Sequence, residues 1–190
     1  MFLTTFTRRT ITLNKLIGLL ALAFVASATQ AQEVGSVYTD LSPSKCQTIE
    51  IDEESGSSVQ NCPGVGGYRL LVLDDDSRQS ITVIDSAGKK FELNLWHVIT
   101  GAFSSVGPKA EWRVTRKEGK PNPFALIVRV NASEDVEKPN RITSYLSVTK
   151  ITADAVCVTH KIGPGAKANE EARKAADESA TVPCLKEISP

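Results

Sequence analysis

Between residues 68 and 160, apolar and polar positions alternate with a period of two. That is the spacing of strands with one face on a core and the other toward water. Tyr68-Leu70-Val72, Ile81-Val83, Phe91-Leu93-Leu95, Trp112-Val114, Phe124-Leu126-Val128-Val130, Ile142-Leu146-Val148 and Val156-Val158 each place their apolar side chains on one side. Turn chemistry separates them at Asp74-Asp75-Asp76-Ser77, Ser86-Ala87-Gly88, Gly101, Gly107-Pro108, residues 119–123 and Lys138-Pro139-Asn140. The pattern predicts a mainly β fold, an antiparallel β-sandwich or barrel of about seven to eight strands. The intervals leave no room for helical crossovers, which excludes a parallel doubly wound sheet.

One C-terminal α-helix is expected. Gly163-Pro164-Gly165 is a break, and Asn169 is placed to cap a helix running from residue 170 to about residue 180. Ala168, Ala172, Ala175, Ala176 and Ala180 line one side, and Glu170–Lys174, Arg173–Asp177 and Lys174–Glu178 stand at salt-pair spacing. An alanine-only face buries little area, so the helix is expected to lie lightly on the sheet.

The first thirty residues read differently. Arg8, Arg9 and Lys15 precede an apolar run over residues 16–25, and Ala26-Ser27-Ala28 and Ala31 offer small-residue cleavage points. This is the layout of a secretory signal peptide over residues 1–31. The apolar run is shorter than the ~20 residues of a spanning helix, so no permanent membrane anchor is expected. Thr7-Arg8-Arg9-Thr10-Ile11 only partly matches a twin-arginine signal, and no cysteine follows the apolar run to carry a lipid. Residues 32–45 are polar and read as a flexible lead-in, and residues 46–190 as a single β-rich exported domain, periplasmic or secreted.

Cys46, Cys62, Cys157 and Cys184 all follow the signal segment, and an even cysteine count in an exported domain points to disulfides. Residues 48–51 and 57–60 flank a hairpin-like turn at Asp52-Glu53-Glu54-Ser55-Gly56, and folding about Glu54 brings Cys46 opposite Cys62. Cys157 then pairs with Cys184, stapling a strand to the segment after the helix. No Cys-x-x-Cys supports a zinc site.

The whole chain has 22 basic and 22 acidic residues. Removing Arg8, Arg9 and Lys15 leaves 19 against 22, a net charge near −3. That argues against a nucleic-acid partner, which a basic face would meet.

Candidate chemistry is sparse. His97 shares the phase of Phe91, Leu93, Leu95 and Ile99 and is expected to be a core histidine, and His160 ends the Val156-Val158 face. Trp96 falls out of phase with the apolar set, beside Glu92 and Asn94, on a face that would be wet; an exposed Trp marks a contact surface. Asp74-Asp75-Asp76 with Asp85 suggests a cation, but consecutive acids lack the every-second-residue spacing of a calcium loop, and Arg78 is close enough to neutralise one. Gly64-Val65-Gly66-Gly67 precedes a strand instead of opening a helix and so forms no phosphate cradle. Two Ser-x-x-Lys matches, at Ser42 and Ser147, lack their partner motifs, and Asn131-Ala132-Ser133 is a glycosylation sequon.

No cofactor is implied. The expectation is an exported binding or interaction module, an inhibitor or envelope-associated protein. It would meet a protein or envelope partner through the sheet face bearing Trp96 and nearby Arg69, Glu92 or Arg113, with His97, the neighbour of Trp96, as a further binding candidate. The alternatives are a small exported hydrolase or metal-assisted enzyme using His97 or His160 with an acid of Asp74 to Asp76 or Asp85, and a structural envelope protein.

Overall fold

A computed structural model describes residues 1–2 and 33–188. The signal segment lies almost wholly outside the described residues, so its layout stays a reading of the sequence. The strands are β1 (Gly35–Asp40), β2 (Gln47–Ile51), β3 (Ser58–Pro63), β4 (Arg69–Asp75), β5 (Arg78–Ile84), β6 (Lys90–Glu92), β7 (Phe103–Lys117), β8 (Lys120–Ser133), β9 (Thr143–Ile151) and β10 (Val156–Ile162). The helices are α1 (Leu95–Val98) and α2 (Ala168–Asp177). No helix among the described residues is long and apolar enough to cross a membrane.

The mainly β reading holds, but the described strands number ten and form one sheet that does not close by hydrogen bonding. Its order is β10-β9-β8-β7-β5-β4-β3-β2, with β1 on β7 and β6 on β5. All neighbours are antiparallel except β5 and β7, which meet in parallel at Arg78 and Ser104. The strand count grew for two reasons. The Cys46–Cys62 segment contributes the β2–β3 hairpin as expected, and part of the expected loose lead-in is strand β1, paired with β7 from Gly35 opposite Val114 to Asp40 opposite Lys109. Gly107-Pro108 is a bulge within β7 and no turn; a Cβ on Gly107 would stand 2.9 Å from Arg129 Cβ, so the close approach of β7 and β8 requires glycine.

The sheet curls so that β4 and β5 face β7, β8 and β10 across one apolar core. Leu70, Val72, Ile81, Val83, Trp112, Leu126, Val128, Val130, Val156 and Val158 meet there. The other face of β8 and β9 is buried too, because Ala125, Ile127, Leu146 and Val148 are covered by Ala168, Ala172 and Ala176 of α2. Phe124 joins this second cluster and leaves the face of Leu126 on which its phase placed it. A bulge pairs Arg113 with Ala125 and Val114 with Pro123, leaving Phe124 between them and reversing its side.

The helix α2 is capped by Lys167, not Asn169, and Asn169 sits inside it, accepting a bond from Arg129 (3.2 Å). The pairing expected along the helix between Arg173 and Asp177 gives way to two pairs across to β7. Arg113 donates Nε and Nη2 to the two Asp177 carboxylate oxygens (2.7 and 2.8 Å), and Arg173 donates Nε to Glu111 (2.7 Å). The helix is therefore clamped to the sheet at two points besides its alanine face. Burial pushes the Glu111 carboxyl up, but hydrogen bonds from Arg173 and Ser36 outweigh it and hold Glu111 below its ordinary value. A lowered folded value stabilises above the unfolded value of 4.5 and is lost as pH falls through the folded one. The difference in melting temperature between the wild type and Glu111→Gln should therefore be full near neutral pH and shrink on acidification below about pH 4.5. A difference that stays constant down to about pH 3 would remove Glu111 from the acid response.

Both disulfides have the expected partners, Cys46–Cys62 and Cys157–Cys184. The second anchors the chain after α2 beside β10, where Leu185 N–H donates to Val158 O (2.7 Å) and Ile188 N–H to His97 O (2.6 Å). The C-terminal segment thus links the β10 edge to α1, across the side where the sheet is open.

Candidate functional site

The expected strand over residues 91–99 stops at Glu92. Asn94 adopts the left-handed conformation (φ 47°), and the chain then makes a single helical turn, α1. Ser80 Oγ accepts from Leu95 N–H (3.0 Å), and Leu95 and Ile99, four residues apart, both point into the core. The Leu95, Val98, Ile99 spacing is helical, and it overrides the period-two run of Phe91, Leu93 and Leu95. Consequently His97 is not a core histidine but an exposed one, and Trp96 is half-buried at the surface, its ring edge-on to His97 with centroids 6.0 Å apart.

The α1 turn packs beside the tip of the β4–β5 hairpin. Asp74 and Asp75 belong to β4, and only Asp76 and Ser77 form the turn, both with positive φ as a two-residue hairpin of this hand requires. Arg78 pairs with Asp76, donates Nε to Gly101 O (3.3 Å) and lays its guanidinium 4.7 Å above the Phe103 ring. Phe103 remains 52% exposed. Around this tip lie three cavities. The first, about 400 Å³, is lined by Asp75, Asp76, Arg78, Trp96, His97 and Gly101. The second, about 260 Å³, lies on the other side of Arg78 and Phe103, and includes Asp74, Gln79, Ser104, Ser105, Asn131 and Ile142. The third, about 450 Å³, shares Asp74, Gln79 and Ser105 with the second and continues to Ser58, Gln60 and Leu41.

Of the residues singled out by sequence, Trp96 and His97 come together here, and Asp75 and Asp76 join them. The others do not. Arg69 is exposed at the opposite end of β4, ~20 Å away at strand rise. Arg113 is buried in its clamp on Asp177, with Ser36 as a further partner, so it holds α2 and is no contact residue. Asp85 is at the far end of β5, folding its own turn by accepting from Ala87 and Lys89 N–H (2.9 and 2.8 Å), so the four acids do not assemble. His160 lies on β10 with Nδ1 3.0 Å from Thr159 Oγ1. No hydrogen bond or shared cavity joins it to His97 among the described residues. His97 and Asp75 share a cavity without a hydrogen bond between them, and no group of three or more metal-ligating side chains occurs among the described residues.

Sequence reasoning missed Asp74 and Gln79 as a pair, although a signal was present. Asp74 keeps the inward phase of Leu70 and Val72, and Gln79 that of Ile81 and Val83. In the register Leu70 faces Val83, Val72 faces Ile81, and Asp74 faces Gln79. On β3 the same phase runs Ser58, Gln60, Cys62. Three adjacent strands therefore change from apolar to polar on their inner face at one end. Phe103 left no sequence signal, because exposure of a single aromatic at a strand start is decided by what lies next to it. No family model, no curated protein sequence and no solved structure matches the chain.

Proposed function

We propose that the protein is an exported binding module, periplasmic or secreted, that engages a protein or envelope partner through the end of the sheet around the β4–β5 tip. The observation that carries this reading is the clustering there of three adjoining cavities with two half-exposed aromatics, Trp96 and Phe103. Aromatics beside pockets are the side chains that dominate binding energy, since each offers a large, stiff contact area. Two disulfides suit an oxidising compartment, in keeping with the signal segment. Arg69 and Arg113 drop out of the contact set, and Phe103 enters it.

The test is capture of partners from the organism's own envelope extract with the oxidised protein, compared with Trp96→Ala. A near-stoichiometric partner should be held by the wild type and bound about 30-fold more weakly by the variant, the loss of ~2 kcal/mol expected of an anchoring aromatic. The melting temperature should stay within a few degrees, because Trp96 is outside the core cluster. Equal capture by both proteins would refute the assignment.

A hydrolase or metal-assisted enzyme is the second reading, favoured by the cavity that His97 shares with Asp75 and Asp76. It requires zinc binding or ester turnover that disappears in His97→Ala; activity surviving that change would remove it.

A further inference from the structure

We propose that the groove formed by the second and third cavities binds an uncharged, hydroxyl-rich chain, a glycan. This inference rests on the binding-module reading and narrows its ligand. The groove is the polar mouth of an apolar core, and its lining selects by charge. Neither cavity is lined by a Lys or Arg, so nothing there rewards an anion. The single carboxylate, Asp74, accepts from Gln79 Nε2 (2.8 Å), and one carboxylate alone is fewer ligands than a hard cation needs.

What the groove does present is neutral hydrogen-bonding capacity at fixed positions. Gln79 is held at both ends of its amide, since its Oε1 accepts from Val106 N–H (2.9 Å). It keeps one N–H to give, and Asp74 keeps its second oxygen. Asn131 accepts from Ser144 Oγ (2.9 Å), which orients its amide and leaves the NH2 group to donate. Ser104 is 6% exposed, lines the second cavity, and its Oγ has no partner among the described residues. Side chains held in place by the strands lose little freedom on binding.

The floor is apolar, with Leu41, Val72 and Val106, and Phe103 and Ile142 stand half-exposed at one end. A sugar ring has polar edges and C–H faces, and this lining offers partners to both. Strand addition by a peptide is closed at β3 and β4, which are paired on both sides. The cavities, about 260 and 450 Å³, share Asp74, Gln79 and Ser105, and only joined as one groove do they fall well within the size range of small-ligand sites, about 300–1,000 Å³.

The experiment titrates the oxidised protein with three neutral tetrasaccharides, cellotetraose, maltotetraose and chitotetraose, and with tetra-alanine, following backbone amides by NMR. At least one sugar should give saturable shifts at Gln79, Ser104, Ser105 and Asn131. Ser105→Trp, at an exposed position shared by both cavities, should weaken binding at least tenfold with an unchanged melting temperature. Asp74→Ala, which frees Gln79, should weaken it as well and serves if Ser105→Trp fails to fold. Silence toward all three sugars, binding that survives both groove variants, or shifts with tetra-alanine alone would overturn the proposal. Partner capture lost in Trp96→Ala with a silent groove would overturn the glycan and leave the binding module standing, and a responsive groove with capture unaffected by Trp96→Ala would do the reverse.

Discussion

Reducing both disulfides is expected to lower the unfolding free energy by about 6 to 7 kcal/mol, enough to unfold many domains of this size. The bridges close loops of 16 and 27 residues in sequence separation that do not overlap, so their effects on the unfolded chain are independent. On the chain-entropy relation these lengths correspond to about 3 and about 3.5 kcal/mol. The consequences in the folded state differ. Cys62 lies in the main core, so the first bridge also ties the open end of the β2–β3 hairpin to that core. The second bridge holds the segment that reaches from Val158 to the carbonyl of His97, so Cys157→Ala with Cys184→Ala should raise amide exchange at Ile188 as well as lowering the urea midpoint. Identical urea midpoints with and without reductant would contradict this account.

Trp112→Ala should cost about 3–5 kcal/mol, as deletion of a large buried aromatic does. Trp112 is fully buried at the centre of β7, flanked by Val37 on β1 and Leu126 on β8, with Tyr68 stacked obliquely at 5.9 Å. Its Nε1 donates to Thr39 Oγ1 (2.8 Å), and Thr39 is buried too. Truncation therefore leaves a cavity and an unpaired hydroxyl together. Trp112→Phe separates the two effects: most of the volume stays, and the lost hydrogen bond leaves a penalty of about 1–3 kcal/mol. Denaturant unfolding of both variants checks the pair, and a Trp112→Ala loss under about 1 kcal/mol would show that β1 does not pack as described.

The two tryptophans show how far reading the sequence carries. Trp112 shares its buried face with Ala110 and Val114, and its burial follows from that local phase. Trp96 was assigned to a wet strand face by the same rule. It is at the surface, but on a helical turn, because Asn94 reverses the backbone and Leu95 and Ile99 compete successfully for the core. Arg113, expected as a contact residue near Trp96, does alternate with the buried Trp112, but that alternation is silent about what covers its face. The covering element, α2, is 64 residues away in sequence at Asp177. Asp74 and Gln79 were legible in part, since polar residues in the inward phase of two paired strands were visible, yet only the register shows that they face each other.

The sequence by itself determined what depends on neighbours along the chain: strand periodicity, the β2–β3 hairpin, the cysteine pairing that the hairpin implies, and one alanine-faced helix near the C terminus. These follow from backbone geometry and short-range hydrogen bonding, which act over a few residues. The tertiary structure decided the rest: that one open sheet of ten strands curls around the core, that β1 joins it, that α2 is clamped by Glu111 and Arg113, and that Trp96, Phe103, Asp74 and Gln79 share one end. Those outcomes depend on which distant faces exclude water from each other, and apolar burial is non-directional, so a local pattern says that a face is buried without saying by what.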